Sequence, residues 1–363
     1  MSLSCGIVGL PNVGKSTLFN AITRASVAAS NYPFCTIDPN VGIVPVPDPR
    51  LAVLGEIYAT KQIVPATTTF VDIAGLVRGA SKGEGLGNAF LSHVREVDAI
   101  AMVVRCFEDA NVVHVDAQPD PLRDIETIDI ELALADLASV DKRLDKARQR
   151  VKAEPKTAPE VEALERLATA LNKGTPARSF GAGSLEVSLA KELSLLTAKP
   201  TLFVANVDEA GTQASNERVK SVRRAAESEG AQCIVLCAKL EAELAGLPED
   251  ESAAFAKELG MEGSGLDRLI VAAYRLLDLM TFLTAGEKET RAWTIERGTK
   301  APQAAGKIHT DIERGFIKAE IVSYDDLARL RSMAAIRDAG LLRIEGRDYV
   351  MQEGDVVNFR FNV

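Results

Sequence analysis

The sequence lacks the usual marks of a zinc-binding, secreted or membrane-spanning protein. Its cysteines form no CxxC pair and have no histidine at the spacing of a zinc site. No uninterrupted apolar run reaches the roughly 20 residues that cross a bilayer, and the first residues lack the basic segment of a secretory signal. We therefore expect a cytoplasmic protein without membrane contact, with three of its five cysteines acting as small core side chains.

The sequence also lacks an overall positive charge. It has 42 basic and 51 acidic residues and a formal net charge of −9, which excludes a whole-protein field that attracts nucleic acid. No DNA partner is expected, and any RNA contact must come from a local basic patch. The 363 residues, with 47% hydrophobic and 26% charged side chains, are typical of a globular protein of two or three domains.

Apolar strands alternate with amphipathic helices over most of the chain. Strands are predicted at 3–10, 41–46, 67–75, 99–107, 200–207 and 231–239, with helices at 16–25, 88–97, near 215–229 and near 265–279. This alternation predicts an α/β fold with a mainly parallel sheet covered by helices on both faces. We assign it to one nucleotide-binding domain, built from residues 1–128 and 199–277.

Residues 129–198 interrupt this domain with a different pattern. Apolar residues recur every seven positions at Ile130, Leu137, Leu144 and Val151, and Ala133, Val140 and Ala147 follow three positions later. The repeat predicts a helix of about 24 residues, which Pro155 and Pro159 end before a return helix, giving an antiparallel helical hairpin. Residues 142–152 hold six basic residues and one acid, and are either a solvated face or a contact surface for RNA or an acidic partner.

Residues 278–363 have a third pattern. Short alternating strands are separated by glycine-rich turns and by one helix predicted over 325–339. We expect a small α+β domain with no catalytic cluster.

The strongest motif for chemistry lies between the first strand and the first helix. Gly9-Leu-Pro-Asn-Val-Gly14-Lys15-Ser16 matches GxxxxGK[ST], the phosphate-binding P-loop. The glycines let backbone amides surround the phosphates, and the helix N-terminus adds a favourable dipole. Lys15 is expected to reach the β- and γ-phosphates as a catalytic cation, and the Ser16 hydroxyl is expected to bind Mg²⁺.

Two further segments are expected to complete the phosphate site. Asp72-Ile-Ala-Gly75 ends the third strand of the nucleotide domain and matches the DxxG motif of GTPase-type proteins, with Asp72 near Mg²⁺ and the Gly75 amide near the γ-phosphate. Thr36 lies in an upstream loop and is either an ordinary loop residue or a further Mg²⁺ ligand. The glycine-rich segment 78–87 is predicted to be a nucleotide-dependent switch.

Two departures separate this sequence from ordinary GTPases. The base-recognition motif NKxD is replaced by Asn206-Val207-Asp208-Glu209, so guanine selection is in doubt and Asn206 with backbone carbonyls could meet adenine N6. Leu76 follows DxxG where many GTPases have the glutamine that orients water. His114, or a K⁺ ion placed by Asn12, is the candidate replacement, ahead of His93 and His309.

Taken together, these motifs resemble the YchF / Obg-like ATPase family of P-loop proteins over the full chain length. Further stretches that carry the resemblance are 31–42, 72–88 and 237–244. Two stretches near the end of the chain, TFLTAGEKETRAWTI and GTKAPQAAGKIHTDIERGFIKAE, resemble a TGS domain of ubiquitin-like β-grasp type. The resemblance implies hydrolysis of ATP as well as or better than GTP, association with ribosomes, and a role in translation or stress control. It also implies which residues form the nucleotide site: Gly9, Asn12, Val13, Gly14, Lys15, Ser16, Thr17, Thr36, Asp72, Gly75, Asn206, Val207, Glu209, Cys237, Ala238 and Lys239.

Three functions remain open at this point. The favoured one is a nucleotide-switched ATPase that binds the ribosome, either its large subunit or the whole particle. The second is a GTP-specific switch in which Glu209 recognises guanine. The third is a nucleotide-stabilised binding platform with incidental turnover, since the glutamine that orients water is absent.

Overall fold

The computed structural model describes residues 3–29, 40–75, 86–109, 120–209, 216–248, 251–252, 254–255 and 263–362. The strands are β1 (Ser4–Val8), β2 (Val41–Pro45), β3 (Ile63–Val64), β4 (Thr67–Asp72), β5 (Ala99–Arg105), β6 (Thr201–Asn206), β7 (Cys233–Leu236), β8 (Leu279–Ala285), β9 (Thr290–Glu296), β10 (Phe316–Ser323), β11 (Arg343–Glu345) and β12 (Asp355–Phe361). The main helices are α1 (Lys15–Ala29), α2 (Arg50–Tyr58), α3 (Leu86–Glu96), α4 (Pro121–Val151), α5 (Ala158–Asn172), α6 (Leu185–Glu192), α7 (Glu217–Ser228), α8 (Ala238–Leu244), α9 (Gly265–Leu276), α10 (Ala301–Ile308), α11 (Thr310–Arg314), α12 (Tyr324–Leu330) and α13 (Met333–Asp338). Within these residues, none of the helices has both the length and the hydropathy to span a membrane.

The chain divides into two compact units, each built from two segments. The first contains Met1–Ile43 and Thr69–Ala273, and the second contains Val44–Thr68 and Tyr274–Val363. This division differs from the predicted domains, because residues 44–68 join the C-terminal unit and the helical hairpin stays with the nucleotide-binding unit. The reason is strand pairing: β3 pairs in parallel with β9 through Ile63 and Thr290, which the local sequence pattern does not reveal.

The sheet of the first unit has the strand order β2-β4-β1-β5-β6-β7. β1 pairs in parallel with β4 and β5, and β6 pairs in parallel with β5 and β7. β5 and β6 are buried along their whole length, as expected for strands covered on both faces. The predicted α/β class is confirmed. The strands β2 and β4 lie on one side of β1, and the later strands β5, β6 and β7 lie on the other. Folds of this kind bind ligands at such a change of side, beyond the carboxyl ends of the strands.

The helical hairpin is formed by α4 and α5, and α4 begins earlier than predicted. Asp120 caps α4 by accepting a hydrogen bond from the Arg123 amide, and the helix runs for 31 residues. The expected seam holds at Val140 and Leu144, which pack against Leu164 and Leu171 of the return helix. Ile130, by contrast, is 44% exposed, because near its start the helix buries Ile125, Ile128 and Leu132 instead.

The second unit is an α+β module, as predicted. Its sheet has the order β11-β10-β12-β8-β9-β3, and Phe282, Phe316 and Phe359 lie in its core. The prediction of a single helix over 325–339 was wrong, because the structure has two helices there, α12 and α13. Arg331 adopts a left-handed conformation with φ of 52°, which ends α12, and Ser332 caps α13 through the amides of Ala334 and Ala335.

Candidate functional site: the P-loop pocket

The P-loop connects the end of β1 to the start of α1. A Cβ atom on Gly9 would lie 2.8 Å from the Val103 carbonyl oxygen, so this position has no room for a side chain. Gly14 has a φ of 92°, and a Cβ there would collide with the side-chain amide of Asn206. Asn12 also has a positive φ, of 64°, a conformation that asparagine tolerates better than most residues. These positions fix the loop in the shape that the motif requires.

Three side chains named by the motifs converge beside this loop. Lys15 Nζ lies 2.5 Å from Asp72 Oδ1, and Ser16 Oγ lies 3.4 Å from Asp72 Oδ2. Lys15 is only 8% exposed, since it lies at the N-terminus of α1 between the loop and β4. The sequence separation of 57 residues between Lys15 and Asp72 is closed by the parallel pairing of β1 with β4.

The donor set fits Mg²⁺ held jointly with phosphate. In the described part of the chain, no group of three or more His, Cys, Asp or Glu side chains could hold a metal ion by itself. Mg²⁺ instead prefers one or two protein oxygen ligands together with water and substrate phosphates. Ser16 Oγ and the Asp72 carboxylate supply such oxygens at adjacent positions.

A pocket of about 810 Å³ opens beside these residues, a size that suits a nucleotide. Its lining consists of Leu10, Pro11, Asn12, Gly14, Lys15, Ser16, Thr17, Gly75, Phe107, Glu108, Asp109, Asn206, Val207, Asp208, Glu209, Cys237, Ala238 and Lys239. The structure therefore brings the predicted P-loop, DxxG and base-recognition segments together around one space. Gly9 and Val13 shape the loop from behind, while Thr36, Leu76 and His114 lie outside the described residues.

Asn206 connects two walls of the pocket. Its Nδ2 donates to the Val13 carbonyl oxygen at 2.8 Å, and its Oδ1 accepts from the Ala238 amide at 2.9 Å. Adenine N6 is an amino group that donates, so Asn206 could meet it only through Oδ1, which already accepts from the Ala238 amide. The two Asn206 bonds hold the P-loop and residues 237–239 in a fixed relation, and a contact of Asn206 with the base stays a prediction.

The base-recognition wall carries an ion pair that the sequence did not predict. Glu209 Oε1 lies 3.5 Å from Lys239 Nζ, and both side chains are well exposed, at 61% and 73%. Cys237 precedes α8, and burial raises the pKa of its thiol. Farther along α8, the buried Glu241 carboxylate accepts a hydrogen bond from the Gly265 amide at 2.7 Å, which fixes α8 against the start of α9.

Sequence reasoning missed the wall formed by Phe107, Glu108 and Asp109. The signal was present, because these residues directly follow a buried strand, and the carboxyl end of such a strand faces the ligand. The two histidines that the structure describes do not line the pocket: His93 is exposed on α3, and His309 caps α11 by accepting from the Asp311 amide at 3.2 Å.

The predicted basic patch of the hairpin is smaller in the structure. Its three arginines form ion pairs with glutamates: Arg143 with Glu160 and Glu192, Arg148 with Glu165, and Arg150 with Glu154. The exposed cations that remain are the hairpin lysines Lys142, Lys146 and Lys152, for which the described residues provide no ion pair within 4.0 Å. The count of basic residues along the sequence therefore overestimated the positive charge that this surface can offer to RNA.

Comparisons with known proteins agree with this architecture. A family model described as "50S ribosome-binding GTPase" matches residues 4–154, and the YchF-GTPase C-terminal model, described as a protein of unknown function, matches residues 279–362. The chain is 55% identical over its whole length to the complete "Ribosome-binding ATPase YchF" of Bacillus subtilis. It is 51% identical, again over the full length of both chains, to the protein of the same name from Pasteurella multocida.

Solved structures give the same result. The structure of the Schizosaccharomyces pombe YchF GTPase matches with a TM-score of 0.88 and 41% identity, covering 99% of this chain and 98% of that one. A GTP binding protein from Pyrococcus horikoshii shares the fold with a TM-score of 0.61 at 22% identity, covering 99% of this chain and all of the other. With identities above 40% over the whole chain and a P-loop pocket of the expected composition, the protein belongs to the YchF family.

Proposed function

We propose that the protein is a cytoplasmic, ribosome-binding P-loop nucleoside triphosphatase that hydrolyses ATP to ADP and phosphate. The observation that carries the proposal is the convergence of Lys15, Ser16 and Asp72 at the edge of the pocket. The names of the bacterial relatives support both the ATPase activity and the ribosome as partner.

The chain's own residues have distinct roles in this proposal. Lys15 and the P-loop amides bind the phosphates and offset the negative charge of the transferring group. Ser16 and Asp72 would hold Mg²⁺, which supplies further charge stabilisation when bound. Asn206 keeps the P-loop and residues 237–239 in register, so that phosphates and base are bound at a fixed distance.

ATP is proposed as the preferred nucleotide. In NKxD proteins a short aspartate accepts two hydrogen bonds from guanine, whereas Glu209 is one methylene longer and lies beside Lys239 at the exposed mouth of the pocket. The pair is exposed, and such pairs contribute only about 0–1 kcal/mol, so Lys239 favours this position of Glu209 without locking it. GTP specificity is the second candidate, because the Schizosaccharomyces pombe relative is called a GTPase.

Calorimetric titration of the wild-type protein with Mg²⁺ and ATP, GTP, ADP or GDP tests the nucleotide assignment. We expect ATP to bind at least as tightly as GTP. Dissociation constants more than tenfold lower for GTP would replace ATP by GTP in the proposal. No measurable binding of any of the four nucleotides would refute it.

The switch part of the proposal concerns the ribosome. Co-sedimentation with ribosomes should depend on whether ADP, ATP or a non-hydrolysable ATP analogue is present. Equal pelleting in all three conditions would favour a binding platform with incidental turnover over a nucleotide switch.

We propose that the hairpin lysines contribute to the ribosome contact together with the C-terminal unit. Because the protein carries a net charge of −9, attraction to RNA must be local, and binding should weaken steeply with salt. The triple variant Lys142→Glu, Lys146→Glu, Lys152→Glu should lose co-sedimentation and keep ATPase activity. The matched control, Arg24→Glu, Lys173→Glu, Lys191→Glu, makes the same charge change at exposed positions outside the patch. If both variants pellet equally, the patch is a solvated face.

A further inference from the structure

Arg105 is an unusual residue for the position it occupies. It is the last residue of β5, it is 1% exposed, and it is among the largest fully buried side chains in the described part of the molecule. Burying a guanidinium is costly unless its hydrogen bonds and charge are compensated. Burial lowers the pKa of Arg105, and the nearby carboxylates of Asp109 and Asp124 oppose this effect.

The compensation comes from the wall of the nucleotide pocket. Arg105 Nε lies 3.3 Å from the Phe107 carbonyl oxygen, and a terminal guanidinium nitrogen lies 3.3 Å from the Asp109 carbonyl oxygen. The guanidinium carbon is 4.5 Å from the centre of the Phe107 ring, within the range of a cation–π contact. One planar side chain therefore contacts both ends of the segment 107–109 that lines the pocket.

Two further side chains hold this segment or the residue just before it. Asn216 Nδ2 donates to the Cys106 carbonyl oxygen at 2.9 Å, and Arg218 forms an ion pair with Glu108 at 2.5 Å. Glu108 is largely exposed, so this pair resembles a surface contact of small energy. Arg105 is the anchor that lies beneath the segment and is shielded from solvent.

The location of this wall suggests which part of a nucleotide it contacts. Arg105 is directly opposite Asn206 in the pairing of β5 with β6, and the Cys106 amide donates to the Asn206 carbonyl oxygen at 2.8 Å. Residues 107–109 therefore leave the sheet next to residues 207–209, on the base side of the P-loop. A shift of this wall should affect the base and ribose more than the phosphates.

We propose that Arg105 is a positioning residue, which holds Phe107 and its neighbours in the conformation that forms the base side of the nucleotide pocket. The inference rests on the proposed nucleotide-binding function and adds a specific determinant of affinity to it. Lysine cannot replace arginine here, since it lacks the planar group that bonds two carbonyls and covers a ring together.

Arg105→Lys tests the proposal against a matched buried arginine. Arg178 is also in the first unit and is 10% exposed at its side chain, where it bonds Glu229 at 2.6 Å away from the pocket lining. Arg178→Lys therefore controls for general loss of stability. For both variants and the wild type, thermal unfolding, dissociation constants for Mg²⁺–ATP and for Mg²⁺–tripolyphosphate, KM and kcat should be measured.

We expect Arg105→Lys to weaken ATP binding and raise KM about tenfold, from the loss of one hydrogen bond and the ring contact. Its affinity for tripolyphosphate and its kcat at saturating ATP should stay within about twofold of wild type, because the P-loop is untouched. Arg178→Lys should lower the unfolding temperature and leave both affinities unchanged.

Two results would overturn the inference while leaving the proposed function intact. One is ATP binding by Arg105→Lys within twofold of wild type. The other is an equal loss of ATP and tripolyphosphate binding, which indicates a general structural role. If the wild-type protein bound neither ligand, the proposed function would fall, and this inference with it.

Discussion

The P-loop pocket and the helical hairpin both contain basic side chains that the sequence suggested for binding anions, yet their surroundings differ. Lys15 is almost fully buried, and its position is set by an eight-residue loop and by the strand that ends at Asp72. Arg148 on the hairpin is 54% exposed and pairs with Glu165 of the return helix, 17 residues away. The pocket cation is directed at a ligand site, whereas the hairpin arginines stabilise the protein's own surface.

The difference shows when positive charge in a sequence indicates a binding site. A cation within a motif of fixed spacing has its geometry set by the backbone. A cation on an amphipathic helix can be neutralised by any acid that the fold brings opposite. Four predictions, from the largest expected effect to the smallest, test how sharply the two regions differ.

Lys15→Ala or Ser16→Ala should remove measurable hydrolysis, a loss of at least about a hundredfold, through lost charge neutralisation or a lost Mg²⁺ ligand. Steady-state phosphate release measures the effect, and Arg24→Ala, at an exposed cation on the same helix, is the control. Turnover within twofold of wild type in either variant would contradict the P-loop assignment.

The second prediction concerns Asp129 in the hairpin region, where burial raises the carboxyl pKa from 3.8 to about 6 and Arg178 partly opposes the rise. The folded state then holds this proton more tightly than the unfolded chain. Its stabilising contribution is therefore full below pH 3.8 and lost as the pH rises through 6. The unfolding free energy of wild type minus that of Asp129→Asn should fall by up to about 3 kcal/mol between pH 4 and 7.

Denaturant unfolding at several pH values measures this difference. Asp141→Asn, which removes a carboxylate at an exposed position on the same helix, is the control variant. Parallel profiles for wild type and Asp129→Asn would show that Asp129 has an ordinary carboxyl pKa.

His114→Ala should lower kcat by roughly ten- to a hundredfold with little change in nucleotide affinity, as expected for the loss of a water-orienting group. His114 lies outside the described residues, so its role stays a prediction. His93→Ala, at an exposed histidine of α3, is the matched control. If kcat were unchanged, the role would pass to a cation or to a partner, and activity in K⁺ against Na⁺ would be the next comparison.

The smallest effect is expected at the base end of the pocket. Glu209→Asp should shift the ratio of the ATP and GTP dissociation constants towards GTP by about tenfold, because the shorter side chain withdraws from Lys239 and matches guanine. Lys239→Ala should shift the ratio in the same direction by only a few-fold, since the exposed ion pair is weak. Unchanged ratios in both variants would mean that neither residue contacts the base.

The sequence predicted the features that depend on short spacing. The P-loop, the strands β1, β5 and β6, and the return helix α5 follow from local periodicity or motif, and the structure has them. The contacts that lie far apart in sequence could not be predicted this way. Three such contacts depend on which strands become neighbours. They are the ion pair of Glu209 with Lys239, the bonds of Asn206 to the Val13 carbonyl and the Ala238 amide, and the contact of the buried Arg105 with the Phe107 ring.

The path of residues 44–68 determines how the protein can be divided. β2 and β4 cross from one unit to the other at Ile43/Val44 and Thr68/Thr69, and between them Leu54 and Val64 are buried in the C-terminal unit. A chain cut after Ala273 would keep this segment and lose β9, which pairs with it. Its apolar side chains would then meet water, which favours aggregation. Neither unit can be obtained by a single truncation, so proteolytic removal of the C-terminal part should yield an insoluble remainder.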